Sequence, residues 1–247
     1  MLKVIINGCS GKMGRVLARC INEESDLELL CGVSPQNTED LNFKTYSTLS
    51  EINEKSDVVI DFSHHSTLDD VLSYTIKTKT PLVIATTGYN DEELGKIHEA
   101  SKIIPIFHSY NMSLGVNVLL RLVKEAANVL SNFDIEVIEK HHNKKVDAPS
   151  GTAVMIANAI KEVLPSLENN YGRYGRESKR KENEIGIHAI RGGTIVGEHD
   201  VIFAGHDEIV EIKHTAQSKD IFAKGSITAA KFIVAQEAGY YNMDNMF

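Results

Sequence analysis

The sequence predicts an α/β protein: a doubly wound parallel sheet in the N-terminal half, followed by a separate α+β domain built on an open antiparallel or mixed sheet. Three observations carry this expectation. Short apolar runs alternate with amphipathic stretches over the first 112 residues. The first of these runs stops at a glycine-rich turn that opens a helix-like segment. Beyond about residue 180 the apolar runs instead succeed one another across short, glycine-containing links. A chain of 247 residues, 42% of them hydrophobic, is long enough for two modest cores.

Taken in order, "KVIIN" reads as a strand. Behind it Met13, Val16, Leu17, Cys20 and Ile21 recur at three- and four-residue spacing along one helical face. "LELLCGV", "SDVVIDFS", "PLVIATTG" and "IIPIFHS" supply four further strands. In "NDEELGKIHEA", between the last two, Asn90 and the acids behind it suit a helix N-terminus. After residue 112 "SLGVNVLLRLVKEAANVL" is helical, "DIEVIEKHH" alternates like a strand, and "SGTAVMIANAIKEVL" is helical with Ser150 as its cap. The segment 170–184, rich in Gly, Lys, Arg and Glu, reads as a solvated, mobile loop. "IGIHAI", "TIVGEHDVIFAG" and "EIVEIKHTA" follow, joined by "RGG" and "GHD", and four strands without crossovers are expected in this region. The last helix, "IFAKGSITAAKFIVAQEAG", finds no partner in the second half, which leaves a return to the first domain open.

Charge excludes some classes of partner. With 26 Lys+Arg against 34 Asp+Glu the net charge is −8, so no basic field is spread out to attract nucleic acid or anionic lipid. No run approaches the length of a membrane span, and "MLKVIINGCSG" is too short an apolar stretch for a secretory signal, so a cytoplasmic protein is expected. Cys9, Cys20 and Cys31, odd in number, read as reduced, buried residues rather than a disulfide framework.

Two stretches carry chemistry. In "NGCSGKMGR", Gly8, Gly11 and Gly14 lie between a strand and a helix, where backbone amides and the helix dipole can hold a pyrophosphate. The spacing is G-x-x-G-x-x-G, and a merely tight strand–helix turn is the competing reading. No carboxylate occupies the end of the second strand; Ser34 and Pro35 stand there, with Lys12 and Arg15 close enough in sequence to meet a 2′-phosphate. NADPH is therefore allowed as well as NADH, and favoured if the two bind phosphate; surface charges on the helix are the competing reading of both. Thr86, Thr87 and Asn111, at the carboxyl edge of the sheet, are candidates to hydrogen-bond a nicotinamide or its ribose, or else are turn formers.

The second stretch, "EKHHNKKVDAPSGTA", gathers positive charge in an acidic chain. On a strand His141 and His142 point to opposite sides, so one at most faces a cleft. Lys145 follows in a non-helical segment, and Ser150, Gly151 and Thr152 form a helix first turn whose amides make an anion site. Together they suit a small dicarboxylate, with an imidazole as general acid. Solvent-facing strand histidines are the competing reading. A metal site is the other, since His188, His199, His206 and His214 also lie in this half. The absence of an H-x-x-x-H helix and of cysteines here, and the alternation of strand faces, argue for no metal.

"NGCSGKMG", "DFS", "ATTG", "YNMSLGVN", "EKHHNKKVDAPSGTA", "IRGGTIVGEH" and "FAKGS" occur in the order seen in the 4-hydroxy-tetrahydrodipicolinate reductase (dihydrodipicolinate reductase) family of diaminopimelate and lysine synthesis, which the chain resembles over nearly its whole length. The resemblance implies a homotetrameric, NAD(P)H-dependent enzyme. Its Rossmann-type domain would comprise residues 1–112 and 217–247, completed by the C-terminal helix. Residues 113–216 would form the domain that binds substrate and builds the tetramer. It makes His141 the acid/base, Lys145 a donor to substrate, His142 a substrate contact, and Gly151 and Thr152 binders of a substrate carboxylate. Cofactor contacts are implied at Gly8, Ser10, Gly11, Lys12, Met13, Gly14, Ser34, Ala85, Thr86, Thr87, Tyr110, Asn111 and Met112. Ala85, Tyr110 and Met112 depart from the commoner residues beside the nicotinamide; Ser34 and Pro35 replace an acid and a basic residue of some members, and Lys219 an arginine. The implied substrate is a cyclic imine dicarboxylate formed by loss of water, reduced as the two domains close. A dehydrogenase of another small amino or imino acid, and a non-catalytic nucleotide sensor, are the alternatives.

Overall fold

A computed structural model of the chain describes residues 1–36 and 38–246. The elements run β1 (Leu2–Asn7), α1 (Lys12–Glu23), β2 (Leu27–Val33), β3 (Thr45–Tyr46), β4 (Val58–Asp61), α2 (Leu68–Thr78), β5 (Leu82–Ile84), α3 (Asp91–Ser101) and β6 (Pro105–His108). They continue with α4 (Leu114–Val129), β7 (Asp134–His141), α5 (Gly151–Val163), β8 (Glu168–Asn170), β9 (Glu184–Arg191), β10 (Gly197–Ala204) and β11 (Ile209–Ala216), and end with α6 (Asp220–Ile233) and β12 (Gly239–Tyr241). The chain divides into two compact units, Met1–Ser113 with Lys219 onward, and Leu114–Ser218.

The first unit is a seven-stranded parallel sheet in the order β12-β6-β5-β4-β1-β2-β3. Its central strands are apolar at successive positions because both faces are covered. Ile5, Val59, Leu82, Ile84 and Ile106 point to the side of α2 and α3 and pack with Val71, Leu72 and Ile97. The alternate residues Ile6, Ile60, Val83 and Phe107 are equally buried. α6 packs on α1 and on β4, β5 and β6, so the last helix belongs to this unit. A Cβ on Gly225 of α6 would overlap the Met112 carbonyl oxygen, so a hydrogen is required there. Asn90 caps α3 in a reciprocal capping box with Glu93.

The second unit is a five-stranded mixed sheet, β11-β10-β7-β9-β8, with β10 antiparallel to both its neighbours and β9 parallel to β7 and β8. α4 and α5 cover one face: Leu119, Val123, Ile156 and Ile160 meet Ile135, Val137, Ile187, Val201 and Phe203. Ser150 caps α5, its hydroxyl accepting from the Ala153 amide at 3.3 Å.

Three expectations are corrected. Only β9, β10 and β11 follow residue 180 in this sheet, because "TIVGEHDVIFAG" forms one strand from Gly197. Residues 168–170, at the edge of the presumed loop, pair with β9 as β8. Within that loop Arg173 is held by Glu136 at 2.7 Å and by Glu184, and Arg180 by Glu136 at 3.2 Å, so ion pairs tie a segment that composition alone makes look solvated.

Candidate active site

Within the first unit the parallel sheet reverses its order between β1 and β4, and ligands of such sheets bind outside the carboxyl ends of the strands at that point. Gly8 leaves β1 with φ +85°, and a Cβ on it would stand 2.6 Å from the Phe62 carbonyl oxygen behind β4. A Cβ on Gly14 would overlap Gly8, so the first turn of α1 lies directly on the loop. The Gly8 and Cys9 amides donate to the Val33 carbonyl at 2.9 and 3.1 Å, which anchors the loop to β2. At Lys12 and Met13 the amides open the helix, where no intrahelical acceptor exists for them. Close backbone approach and a free helix terminus fit a dinucleotide pyrophosphate.

Beside this loop the Ser10 and Ser34 hydroxyls are 2.7 Å apart, and the Gln36 amide donates to Ser34 Oγ. Arg15, expected to be available for a 2′-phosphate, is already engaged: it donates to both oxygens of Asp40 at 2.7 and 3.1 Å, and to the Ser10 carbonyl. Lys12 is exposed. On the other side of the switch point Asp61 is buried at 2% exposure and accepts from Asn7 at 2.8 Å, Ser63 at 2.5 Å and Thr86 at 2.7 Å. Burial pushes its carboxyl up, opposed by those hydrogen bonds. The Thr86 hydroxyl, expected to meet the nicotinamide, therefore faces Asp61, and the Ala85 amide donates to the Asp61 carbonyl. Thr87 and Tyr110 are exposed, Met112 is buried, and Asn111 Oδ1 accepts from the Ser113 amide.

In the second unit the histidine-lysine stretch runs from the end of β7 through a turn into α5. β7 ends at His141, whose side chain is 12% exposed. Its Nδ1 lies 2.7 Å from Glu139 Oε2. Nε2 has no hydrogen-bond partner among the described residues, and it looks across to β10, where a Cβ on Gly197 would sit 3.1 Å away. His142 lies just past the strand, half-buried, with Nδ1 shut from solvent and unpartnered. A turn closes with the Lys145 amide donating to the His142 carbonyl at 3.1 Å. The Lys145 ammonium is 2.8 Å from Asp147, whose carboxyl it holds below the usual range. Gly151 opens α5 with free space in front of its α-carbon, and Thr152 follows in the same first turn.

Three residues bind this stretch together; Glu139 and Arg191 were given no role from sequence, and His199 was named only as a candidate for a metal site. Glu139, fully buried, accepts from Arg191 at 2.7 Å through each oxygen and from the Ser150 amide at 2.9 Å, besides His141. Arg191 also donates to the Asp147 carbonyl at 2.7 Å, so it ties the turn to the strand. His199, register partner of Glu139 on β10, places Nε2 3.0 Å from Ser150 Oγ and packs edge-on to His141 at 5.3 Å. Burial, with the neighbouring His141, pushes His199 down to about 4 and so leaves it neutral at pH 7. Strand alternation signals Glu139, two residues before His141 on the same face; nothing local signals Arg191. Among the described residues no group of three His, Cys, Asp or Glu side chains is arranged to hold a metal ion. Burial raises the Cys31 thiol to about 12, and the three cysteines are free.

Two family models match the chain, "Dihydrodipicolinate reductase, N-terminus" over residues 2–112 and "Dihydrodipicolinate reductase, C-terminus" over residues 115–247. The chain is 56% identical to the 4-hydroxy-tetrahydrodipicolinate reductase of Caldanaerobacter subterraneus subsp. tengcongensis over 247 residues, covering 100% of this chain and 98% of that one. It is 51% identical to the protein of the same name from Clostridium tetani, covering 100% and 97%. Among solved structures, a dipicolinate-bound dihydrodipicolinate reductase from Paenisporosarcina sp. TG-14 shares the fold with a TM-score of 0.83 at 23% identity, over 100% of both chains.

Proposed function

This chain belongs to the dihydrodipicolinate reductase family along its length, and from that premise we propose that its two units divide one reaction between them, the first binding a nicotinamide dinucleotide and the second a small dicarboxylate. The protein is an NAD(P)H-dependent oxidoreductase, a 4-hydroxy-tetrahydrodipicolinate reductase of the diaminopimelate and lysine route. The observation that carries the assignment of roles is the sharing of one buried carboxylate, Glu139, by His141, Arg191 and the Ser150 amide, which gathers the ends of β7, β9 and the start of α5 around one imidazole.

Bound dinucleotide supplies hydride, both electrons of the reduction. Ser10, Lys12, Met13 and Gly14 would hold its pyrophosphate by hydroxyl, amides and charge, with Gly8 and Gly11, whose amides are used within the loop, giving it room to approach, while Ser34 would meet the adenosine ribose. Ala85, Thr86, Thr87, Tyr110, Asn111 and Met112 shape the nicotinamide end. Lys145, released from Asp147, and the Gly151 and Thr152 amides take the substrate carboxylates, with His142 beside them. Negative charge develops on the conjugated ring as hydride adds, and His141 quenches it by delivering one proton from Nε2 to carbon. Hydride and proton together would saturate one double bond of the ring.

Ser34 and Gln36, just past β2, suit a ribose hydroxyl, and the exposed Lys12 suits a 2′-phosphate that Arg15 joins on leaving Asp40, so both NADH and NADPH serve. The open face of the second unit's sheet, where Lys140 and Lys213 flank Glu198 at 3.1 and 3.0 Å, is the assembly surface of a homotetramer working in the cytoplasm. Steady-state oxidation of NADH and NADPH, measured side by side with freshly formed substrate, tests the reading. Turnover with both is expected, and turnover with neither would refute it.

A further inference from the structure

We infer that Glu139 is the positioning residue of the acid: it fixes the proton of His141 on Nδ1 and so reserves Nε2 as the nitrogen that gives and regains a proton. This rests on the reading of His141 as the proton donor, and it adds a residue to which neither sequence motif nor comparison gives a role.

The argument is one of hydrogen-bond inventory. An ionised carboxylate only accepts, and it offers about four lone-pair sites. Glu139 meets four neighbours: Arg191 Nη1 and His141 Nδ1 at Oε2, and Arg191 Nη2 and the Ser150 amide at Oε1, all between 2.7 and 2.9 Å. Three of these are obligate donors, because a guanidinium and a backbone amide have no acceptor. Burial alone would raise the Glu139 carboxyl, but the hydrogen bonds from Arg191, His141 and Ser150 outweigh it and hold the group below the usual range. Glu139 is therefore ionised, and the fourth neighbour, Nδ1, must donate as well. In the neutral imidazole the proton then sits on Nδ1 and Nε2 carries the lone pair. The choice matters because Nε2 is the nitrogen without a hydrogen-bond partner among the described residues, and it faces Gly197, where no side chain stands.

The surroundings do not compete for this role. The ring of His199 packs edge-on and its Nε2 is at Ser150 Oγ, not at His141. Lys145 is paired with Asp147, and Arg191 is held by Glu139. Glu139 is thus the single group that hydrogen-bonds an imidazole nitrogen of His141 among the described residues.

The test is ¹⁵N NMR of the imidazoles in full-length enzyme labelled at histidine, with His141 assigned by its loss in His141→Gln, in native protein and in Glu139→Gln, alongside kcat, KM and cofactor Kd. A glutamine can either accept from Nδ1 or donate to it, so the restriction to one tautomer is lifted. The expected result is that the neutral imidazole of His141 carries its proton on Nδ1 in the native enzyme and shifts toward Nε2 protonation in Glu139→Gln. With it, kcat falls by at least about ten-fold, part of the 10²–10⁴ that a positioned acid contributes, while cofactor Kd is unchanged. If Glu139→Gln does not fold because Arg191 is left unpaired, Glu139→Gln/Arg191→Met removes both charges and the same signals are read there. A native His141 whose neutral form carries its proton on Nε2, or one whose neutral form is still held at Nδ1 in the Glu139 variants, overturns the inference. Normal turnover of His141→Gln would instead defeat the reading of His141 as the acid, whatever the tautomer.

Discussion

The side-chain amide of Asn7, at the end of β1, donates to the buried carboxylate of Asp61, at the end of β4, across the point where the parallel sheet reverses. Ser63 and Thr86 donate to the same carboxyl group, so one buried side chain fastens the turns behind β4 and β5 to the strand that leads into the glycine loop. Replacing Asp61 by Ala leaves those buried donors without an acceptor. A loss of about 2–4 kcal/mol in unfolding free energy is expected, together with weaker dinucleotide binding as the turns relax. Denaturant titration and fluorescence titration with NADPH measure both; full affinity in a destabilised variant would show that the turns hold without Asp61.

On the proposed roles, Lys145→Ala removes the charged donor to a substrate carboxylate. A charge-assisted hydrogen bond of about 1.5–3 kcal/mol corresponds to a drop of roughly 10- to 150-fold in kcat/KM. Cofactor Kd should not move, because every residue assigned to the dinucleotide belongs to the other unit. A variant with unchanged KM and kcat would remove Lys145 from the site.

Asp40 holds Arg15, and on the proposed use of NADPH it would compete with the 2′-phosphate for that guanidinium. Both side chains are substantially exposed, and such a pair is worth about 0–1 kcal/mol. Asp40→Asn should therefore lower KM for NADPH by no more than about five-fold and leave KM for NADH alone. Equal changes for the two cofactors would place Arg15 outside the phosphate site.

Acid sensitivity follows from the buried imidazoles. Burial pushes His108 and His199 down to about 4 from the usual 6.5. As pH falls below 6.5 the unfolded chain binds protons that the folded chain refuses until about 4, so stability is full above that window and is lost through it. Each ring contributes a slope of up to about 1.4 kcal/mol per pH unit. Denaturant titrations at pH 7 and pH 5 should show a smaller acid loss in His199→Gln than in the native protein. The same loss in both would mean that His199 protonates freely in the fold.

Much of this architecture was legible because the central strands are buried on both faces and so read as unbroken apolar runs, and because Asn90 and Ser150 mark helix starts chemically. The strands that were missed owe their pairing to a neighbour, not to their own pattern. Thr45–Tyr46 borders Gly32–Val33, the polar Glu168–Asn170 borders β9, and Gly239–Tyr241 borders β6.

Within the site, His141, Lys145 and Gly151 stood out by type and spacing. Glu139 did not, because an acid on a strand reads as solvent-facing until its cation is known, and Arg191 lies 52 residues away. Arg15 misled in the same manner: the asparate-paired state of a guanidinium is set by a loop residue 25 positions distant.

The most direct measurement is the single-turnover and steady-state rate of His141→Gln with saturating dinucleotide and substrate, set beside its dinucleotide Kd. An acid that delivers the proton to carbon predicts a fall of about 10²–10⁴-fold in kcat with Kd unchanged. A variant that turns over at close to the native rate would contradict the account.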